Sequence, residues 1–207
     1  GAIPAQRIDE MVANILRVKF RLGLFDRSFA DTTYLPPIAN PAHLDAARLT
    51  ALQSVVLLKN DRSVLPLSTR ALRSLAVIGP LADDPYEQLG TWIFDGDTQH
   101  SRTPLQAITE LAGPEVAVRY VRAMDTTRSH DRGGFAEAVR AADESDAVIL
   151  FLGEESILTG EAHCRADIGL PGNQEELIRK IAAAGKPVVL VLLAGRPLTL
   201  EPIINHV

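Results

Sequence analysis

The sequence predicts an α/β fold: a mostly parallel sheet sandwiched by helices on both faces. Two observations carry this. The runs over residues 75–78, 147–152 and 187–193 are apolar throughout rather than alternating, the pattern of strands buried on both sides. Helical segments of about ten residues separate them, and strands that alternate with helices pair in parallel through helical crossovers.

Taken in order, residues 4–22 place Ile8, Met11, Val12, Ile15 and Leu16 at helical spacing, with Pro4 suited to an early helix position. Gly23 supplies a C-terminal cap. Residues 26–41 lose all periodicity and carry Pro36, Pro37 and Pro41, which predicts an extended linker and a domain boundary. Residues 41–54 read as a helix with Leu44, Ala47 and Leu52 on its inner side, and Val55-Val-Leu-Leu58 as a short buried strand. Leu65-Pro-Leu67 turns into a strand over 75–78 that Gly79-Pro80 closes. Helix 104–111, strand 116–121, helix 134–142, strand 146–152, helix 172–184 and strand 187–193 follow. Residues 201–207 read as the first turns of another helix. Both ends read as cuts in a longer polypeptide, against the alternative of a small protein with frayed termini.

Composition narrows the function classes. A net charge of −5 over 207 residues, with the basic residues scattered, leaves no stripe to neutralise phosphates, so nucleic acid is not the partner. Cys164 is the single cysteine and has no intrachain disulfide partner. No apolar run approaches the length of a membrane span.

Ligands of an open α/β sheet bind beyond the carboxyl ends of its strands. The loop after strand 146–152 is the richest there: Gly153-Glu-Glu-Ser-Ile-Leu-Thr-Gly-Glu-Ala-His-Cys-Arg165, then Asp167 and Leu170-Pro-Gly172. A glutamate on a substrate-covering loop suits a glycosidase, which needs one acid to protonate the leaving oxygen and then deprotonate water. An acidic surface loop is the plainer alternative. A metal site on Glu161, His163 and Cys164 lacks any recognised ligand spacing, and Cys164 has no base placed to make it a nucleophile. Gly90-Thr-Trp-Ile-Phe-Asp-Gly-Asp97 sets Trp92 and Phe94 in a loop, where aromatic faces stack on sugar rings or anchor the loop itself. Gly79-Pro80 lacks the further glycines of a dinucleotide site.

Together these segments resemble glycoside hydrolase family 3, the β-glucosidase and β-xylosidase family. Arg7 to Phe25 is similar to the closing helix of the family's N-terminal barrel. Ser54-Val-Val-Leu-Leu-Lys-Asn-Asp-Arg-Ser-Val-Leu-Pro-Leu67 resembles the opening of its second domain. Ala76-Val-Ile-Gly-Pro80, Gly90-Thr-Trp92 with Thr103-Pro-Leu105, Gly153-Glu154 through Leu170-Pro-Gly-Asn-Gln174, and Gly195-Arg-Pro-Leu198 follow in family order.

The resemblance implies residues 1–26 as the end of a (β/α)8-like barrel that is otherwise missing, 27–40 as linker, and 41–207 as a C-terminally truncated α/β sandwich. It implies part of a retaining, exo-acting β-glycosidase that removes terminal β-D-glucosyl or related residues from β-glucosides or short β-glucans. By the same resemblance Glu161 is the general acid/base, Glu154 and Arg165 lie in substrate-binding positions, and Trp92 and Phe94 form an aromatic wall in a loop that is shorter here. The nucleophile, an aspartate in a Ser-Asp-Trp-like motif, does not occur in these residues, so the chain alone is expected to be inactive. No cofactor or metal is implied, and a periplasmic or secreted setting is favoured. A non-catalytic carbohydrate-binding module, or a transglycosylase or phosphorylase on the same fold, is the alternative.

Overall fold

The computed structural model describes residues 2–207, which divide into two compact units, one ending at Val56 and the other spanning Leu57–Val207. The first unit holds α1 (Ala5–Arg21) and α2 (Pro41–Ser54). Past α1, Gly23 has φ of 68° and the Leu24 amide reaches back to the Lys19 carbonyl, which satisfies the last turn as a Schellman-type cap does. Asn40 caps α2 by accepting from the Ala42 and His43 amides, and Pro41 takes the first helical position. The intervening residues 27–40 form no regular element.

Two expectations fail here. The supposed inner residues of α2, Leu44, Ala47 and Leu52, are exposed. Leucines and alanines are spread round that helix rather than gathered in one stripe, so it has no defined inner face. Residues 55–58 form no strand, and their side chains are 64% to 77% exposed. A strand needs a ladder partner for its backbone, and no described segment pairs with these four residues. The division between units falls after Val56, so α2 belongs to the first unit.

The second unit contains β1 (Ser74–Ile78), α3 (Pro104–Ala112), β2 (Ala117–Val121), α4 (Phe135–Asp143), β3 (Ala147–Gly153), α5 (Gln174–Ala182) and β4 (Val188–Leu193). The four strands form one parallel sheet in the order β2-β1-β3-β4. Alternate residues of the central strands serve opposite faces. Ala76, Ile78, Val148, Leu150 and Leu152 pack with Phe135 and Ala138 of α4 and Leu177, Ile178 and Ile181 of α5. Leu75, Val77, Ala147 and Phe151 face the other way, toward Leu105 and Ile108 of α3. Truncating a fully buried member such as Ile178 to Ala costs roughly 2–5 kcal/mol.

Local chemistry fixes where these elements start. The Asp146 carboxylate, just before β3, accepts from the Arg73 and Ser74 amides at 2.8 and 2.9 Å and so aligns β3 against β1. Thr103 and Gln106 form a capping box on α3. The Thr103 hydroxyl also donates to Asp83 at 2.8 Å. The last residues make a tighter 3-10 turn, Ile204–His206, in place of the expected α-helical one. There Lys59 Nζ donates to the Ile204 and Val207 carbonyls, each at 2.7 Å.

Candidate active site

All four strands point the same way, so the loops that follow them gather at one end of the sheet. Residues 79–103 follow β1, 122–134 follow β2, 154–173 follow β3, and 194 onward follows β4. β3 leaves the sheet at Gly153, whose φ of 131° and close approach to the Leu193 backbone leave no room for a side chain. The next amide, Glu154 N–H, still donates to the Leu193 carbonyl at 2.8 Å. Glu154 is thus an extension of the sheet, and the rest of the loop departs from it.

The loop's carboxylates have different fates. The Glu154 side chain has no exposed surface, and both its oxygens meet guanidinium groups: Arg165 Nη1 at 2.5 Å and Arg196 Nε at 3.2 Å. Burial of a carboxylate is tolerable only with such charge-assisted partners. Glu155 accepts from the Thr127 hydroxyl at 2.8 Å and Arg128 Nε at 3.0 Å. Asp167 accepts from the Gly169 amide at 2.8 Å. Glu161 is exposed, and it is the one carboxylate of this loop with no hydrogen bond or ion pair to the described residues. It sits in a turn closed by the His163 amide on the Gly160 carbonyl at 3.2 Å, with the following Ala162 at φ of 63°.

Polar side chains bind the neighbouring loops to this one. Thr91 Oγ1 donates to the Thr159 carbonyl at 3.0 Å, and Glu87 accepts the Ser156 amide at 2.5 Å. Gln174 is completely buried; its Oε1 accepts the Gly153 amide, and its Nε2 faces the carbonyls of Thr127, Gly153 and Pro171 at 2.8–3.0 Å. These loops enclose an open depression of about 470 Å³, with Tyr86 and Thr91, Arg128, and Glu155, Ile157 and His163 in its wall.

The aromatic pair stands on the loop after β1. Trp92 is 59% exposed and Phe94 85%, with ring centroids 6.3 Å apart and planes tilted by 40°. Two apolar rings with this much free surface are not anchors of the local core. Among the described residues no group of three His, Cys, Asp or Glu side chains is placed to hold a metal ion.

Sequence reasoning named Glu154, Arg165, Glu161, Trp92 and Phe94, and all lie in loops at this end of the sheet. Glu154 and Arg165 were expected to touch a sugar. The buried Glu154 carboxylate accepts from Arg165 and Arg196, and Arg165 Nη2 donates to the Gly169 carbonyl at 3.0 Å, so both hold the loop. Arg196 and Gln174 went unassigned as site residues. Each lies inside a string that carries the family resemblance, and that was the available signal.

The family model described as the glycosyl hydrolase family 3 C-terminal domain matches residues 55–207. A β-xylosidase of Formosa agariphila is 36% identical over 97% of this chain, and a periplasmic β-glucosidase of Salmonella typhimurium 32% identical over 97%. The chain spans only 28% and 29% of the lengths of these relatives. Among solved structures, a β-glucosidase from Listeria innocua in complex with gluconolactone aligns over 100% of this chain and 28% of its own, with a TM-score of 0.82 and 28% identity. An exo-β-xylosidase in complex with a xylobiose aziridine probe aligns over 80% of this chain and 20% of its own, with a TM-score of 0.71 and 33% identity.

Proposed function

This chain belongs to glycoside hydrolase family 3, whose C-terminal domain it carries, and from that membership we propose that it supplies the general acid/base of a retaining, exo-acting β-glycosidase. The acid/base is Glu161. The observation that supports it is the sorting of carboxylates in the loop after β3: Glu154, Glu155 and Asp167 are held by partners, and Glu161 stands free and exposed. A group that must meet the substrate oxygen within about 2.6–3.2 Å cannot be locked into the protein's own ion pairs.

In the first half-reaction Glu161 protonates the glycosidic oxygen as that bond breaks and an aspartate on the barrel domain bonds to the anomeric carbon. In the second it takes a proton from water, which attacks the same carbon and releases the sugar with its configuration retained. Such a pair of carboxyl groups stands about 5 Å apart, and the aspartate is not among these residues. The substrate is a terminal β-glucosyl or β-xylosyl unit, in keeping with the activities named for the two relatives. Trp92 and Phe94 present apolar faces for the leaving-group sugar. The periplasmic relative supports a periplasmic or secreted setting.

The test uses the natural full-length polypeptide and its Glu161→Ala variant on cellobiose and on a dinitrophenyl β-glucoside. Cellobiose turnover should fall by about 10²–10⁴-fold. Dinitrophenolate, which needs no proton to depart, should still be released in a burst, and azide should restore steady turnover. Wild-type behaviour on both substrates would make Glu161 a surface carboxylate.

A further inference from the structure

We infer that Arg196, anchored on the buried Glu154, is the positioning residue that fixes the turn carrying Glu161. The inference rests on the acid/base reading of Glu161 and adds the device that makes it work. A free carboxylate on a loop of twenty residues (154–173) poses a physical problem. Proton transfer needs the donor within hydrogen-bond distance of the glycosidic oxygen, and a displacement of about 1 Å can cost on the order of 10²-fold in rate. Since Glu161 has no partner of its own, its position is set by the backbone of residues 160–163.

That backbone is gripped on both sides by one guanidinium. Arg196 Nη2 donates to the Leu158 carbonyl before the turn and, at 2.8 Å, to the His163 carbonyl at its end. Its Nε donates to Glu154 Oε2 at 3.2 Å. Glu154 is immobile by its own contacts: its amide is in the ladder with Leu193, its side chain is fully buried, and its other oxygen takes Arg165 Nη1 at 2.5 Å. Arg165 in turn holds the Gly169 carbonyl at 3.0 Å. A continuous path therefore runs from the sheet through Glu154 and Arg196 to the two carbonyls that bracket Glu161.

A second grip lies between those carbonyls. The Thr159 carbonyl accepts from Thr91 Oγ1 at 3.0 Å and pairs with His163 Nδ1 at 2.6 Å. Arg196 arrives from the loop after β4, so the turn is referenced to a strand other than the one it follows. The planar guanidinium presents its donors to the carboxylate and the two carbonyls in fixed directions; a lysine ammonium has three donors but gathers them at one point on a flexible stem, without that geometry.

The experiment compares Arg196→Gln, Arg196→Lys, Glu161→Ala and the Glu161→Ala/Arg196→Gln double variant in the natural full-length polypeptide. The readouts are kcat on cellobiose and the pre-steady-state burst rate on a dinitrophenyl β-glucoside. Arg196→Gln should lower cellobiose turnover by about 10²-fold and leave the burst rate within about threefold of wild type, because the activated leaving group needs no proton. The double variant should be no slower on cellobiose than Glu161→Ala alone, the non-additivity expected of residues acting through one group.

Equal losses on both substrates, or an additive loss in the double variant, would overturn the positioning role while leaving Glu161 as the acid/base. A Glu161→Ala enzyme that behaves as wild type overturns the functional reading itself, whatever Arg196→Gln does. Should Arg196→Gln fail to fold by circular dichroism, Arg196→Lys decides. It is expected to show the same selective loss on cellobiose to a smaller degree, and a cellobiose rate equal to wild type overturns the proposal.

Discussion

Replacing Gln174 with Ala tests how the loops around the site are held. Gln174 is fully buried, so none of its bonds is made to solvent. Its Oε1 satisfies the Gly153 amide, and its Nε2, with two hydrogens, serves two of the three carbonyls of Thr127, Gly153 and Pro171 at any moment. Alanine leaves one donor and two acceptors without partners, at about 1–3 kcal/mol each where water is excluded. With water entering the vacated space the loss settles near the lower bound, about 3 kcal/mol. For a domain of this size that lowers Tm by roughly 10 °C.

Gln174→Glu sharpens the case, because it keeps the shape but turns a carboxylate oxygen toward three carbonyls. Burial there raises the folded pKa above the ordinary glutamate value of about 4.3. The neutral acid can still donate one hydrogen, so its contribution is complete below that value and is lost as pH rises through the raised one. Gln174→Glu should therefore be closer to wild type at pH 4 than at pH 7. The assay is calorimetry of the full-length polypeptide with hydrogen exchange of the peptide containing Gly153. A Gln174→Ala change of less than about 0.5 kcal/mol, with no faster exchange at Gly153, would refute this reasoning.

Three further outcomes are expected. Ala162 sits at φ of 63° beside Glu161; Ala162→Gly should fold and turn over at least as well as wild type, whereas Ala162→Val should lose about 1–2 kcal/mol in thermal melts. The Arg73 and then the Ser74 amide hold the Asp146 carboxyl below its ordinary value of 3.8. Its contribution is present above that value and lost as pH falls through the lower folded one, so Asp146→Asn should flatten the acid limb of stability measured between pH 4 and pH 2. The purified 207-residue chain, holding one carboxylate of the catalytic pair, should show no turnover of a dinitrophenyl β-glucoside, and measurable release by pure chain would contradict the division of labour proposed here.

The sheet could be read from the sequence because three of its strands are apolar throughout and alternate with helices. Runs such as 147–152 admit few other placements in a chain of this length, and the helix expected over 104–111 starts where Thr103 and Gln106 build its cap. Residues 55–58 look the same to a periodicity argument, yet they lie exposed, because apolar content states a preference for burial and not the presence of a ladder partner. The loop after β3 was legible as the candidate site from its position and its acids. What each acid does was not, since the fate of Glu154 depends on Arg196, 42 residues away along the chain. Gln174 is similar: its amide links three backbone segments that converge only after folding.

The central claim, that Glu161 is the acid/base of a retaining enzyme, is tested most directly by the product of azide rescue. Full-length Glu161→Ala would be incubated with a dinitrophenyl β-glucoside and azide, and the glycosyl azide characterised by NMR. The glycosyl-enzyme on a barrel aspartate is attacked by azide from the face that water would use, so the product should be the β-glucosyl azide. An α-glucosyl azide would make Glu161 the nucleophile, and the absence of any azide adduct would remove it from the chemistry.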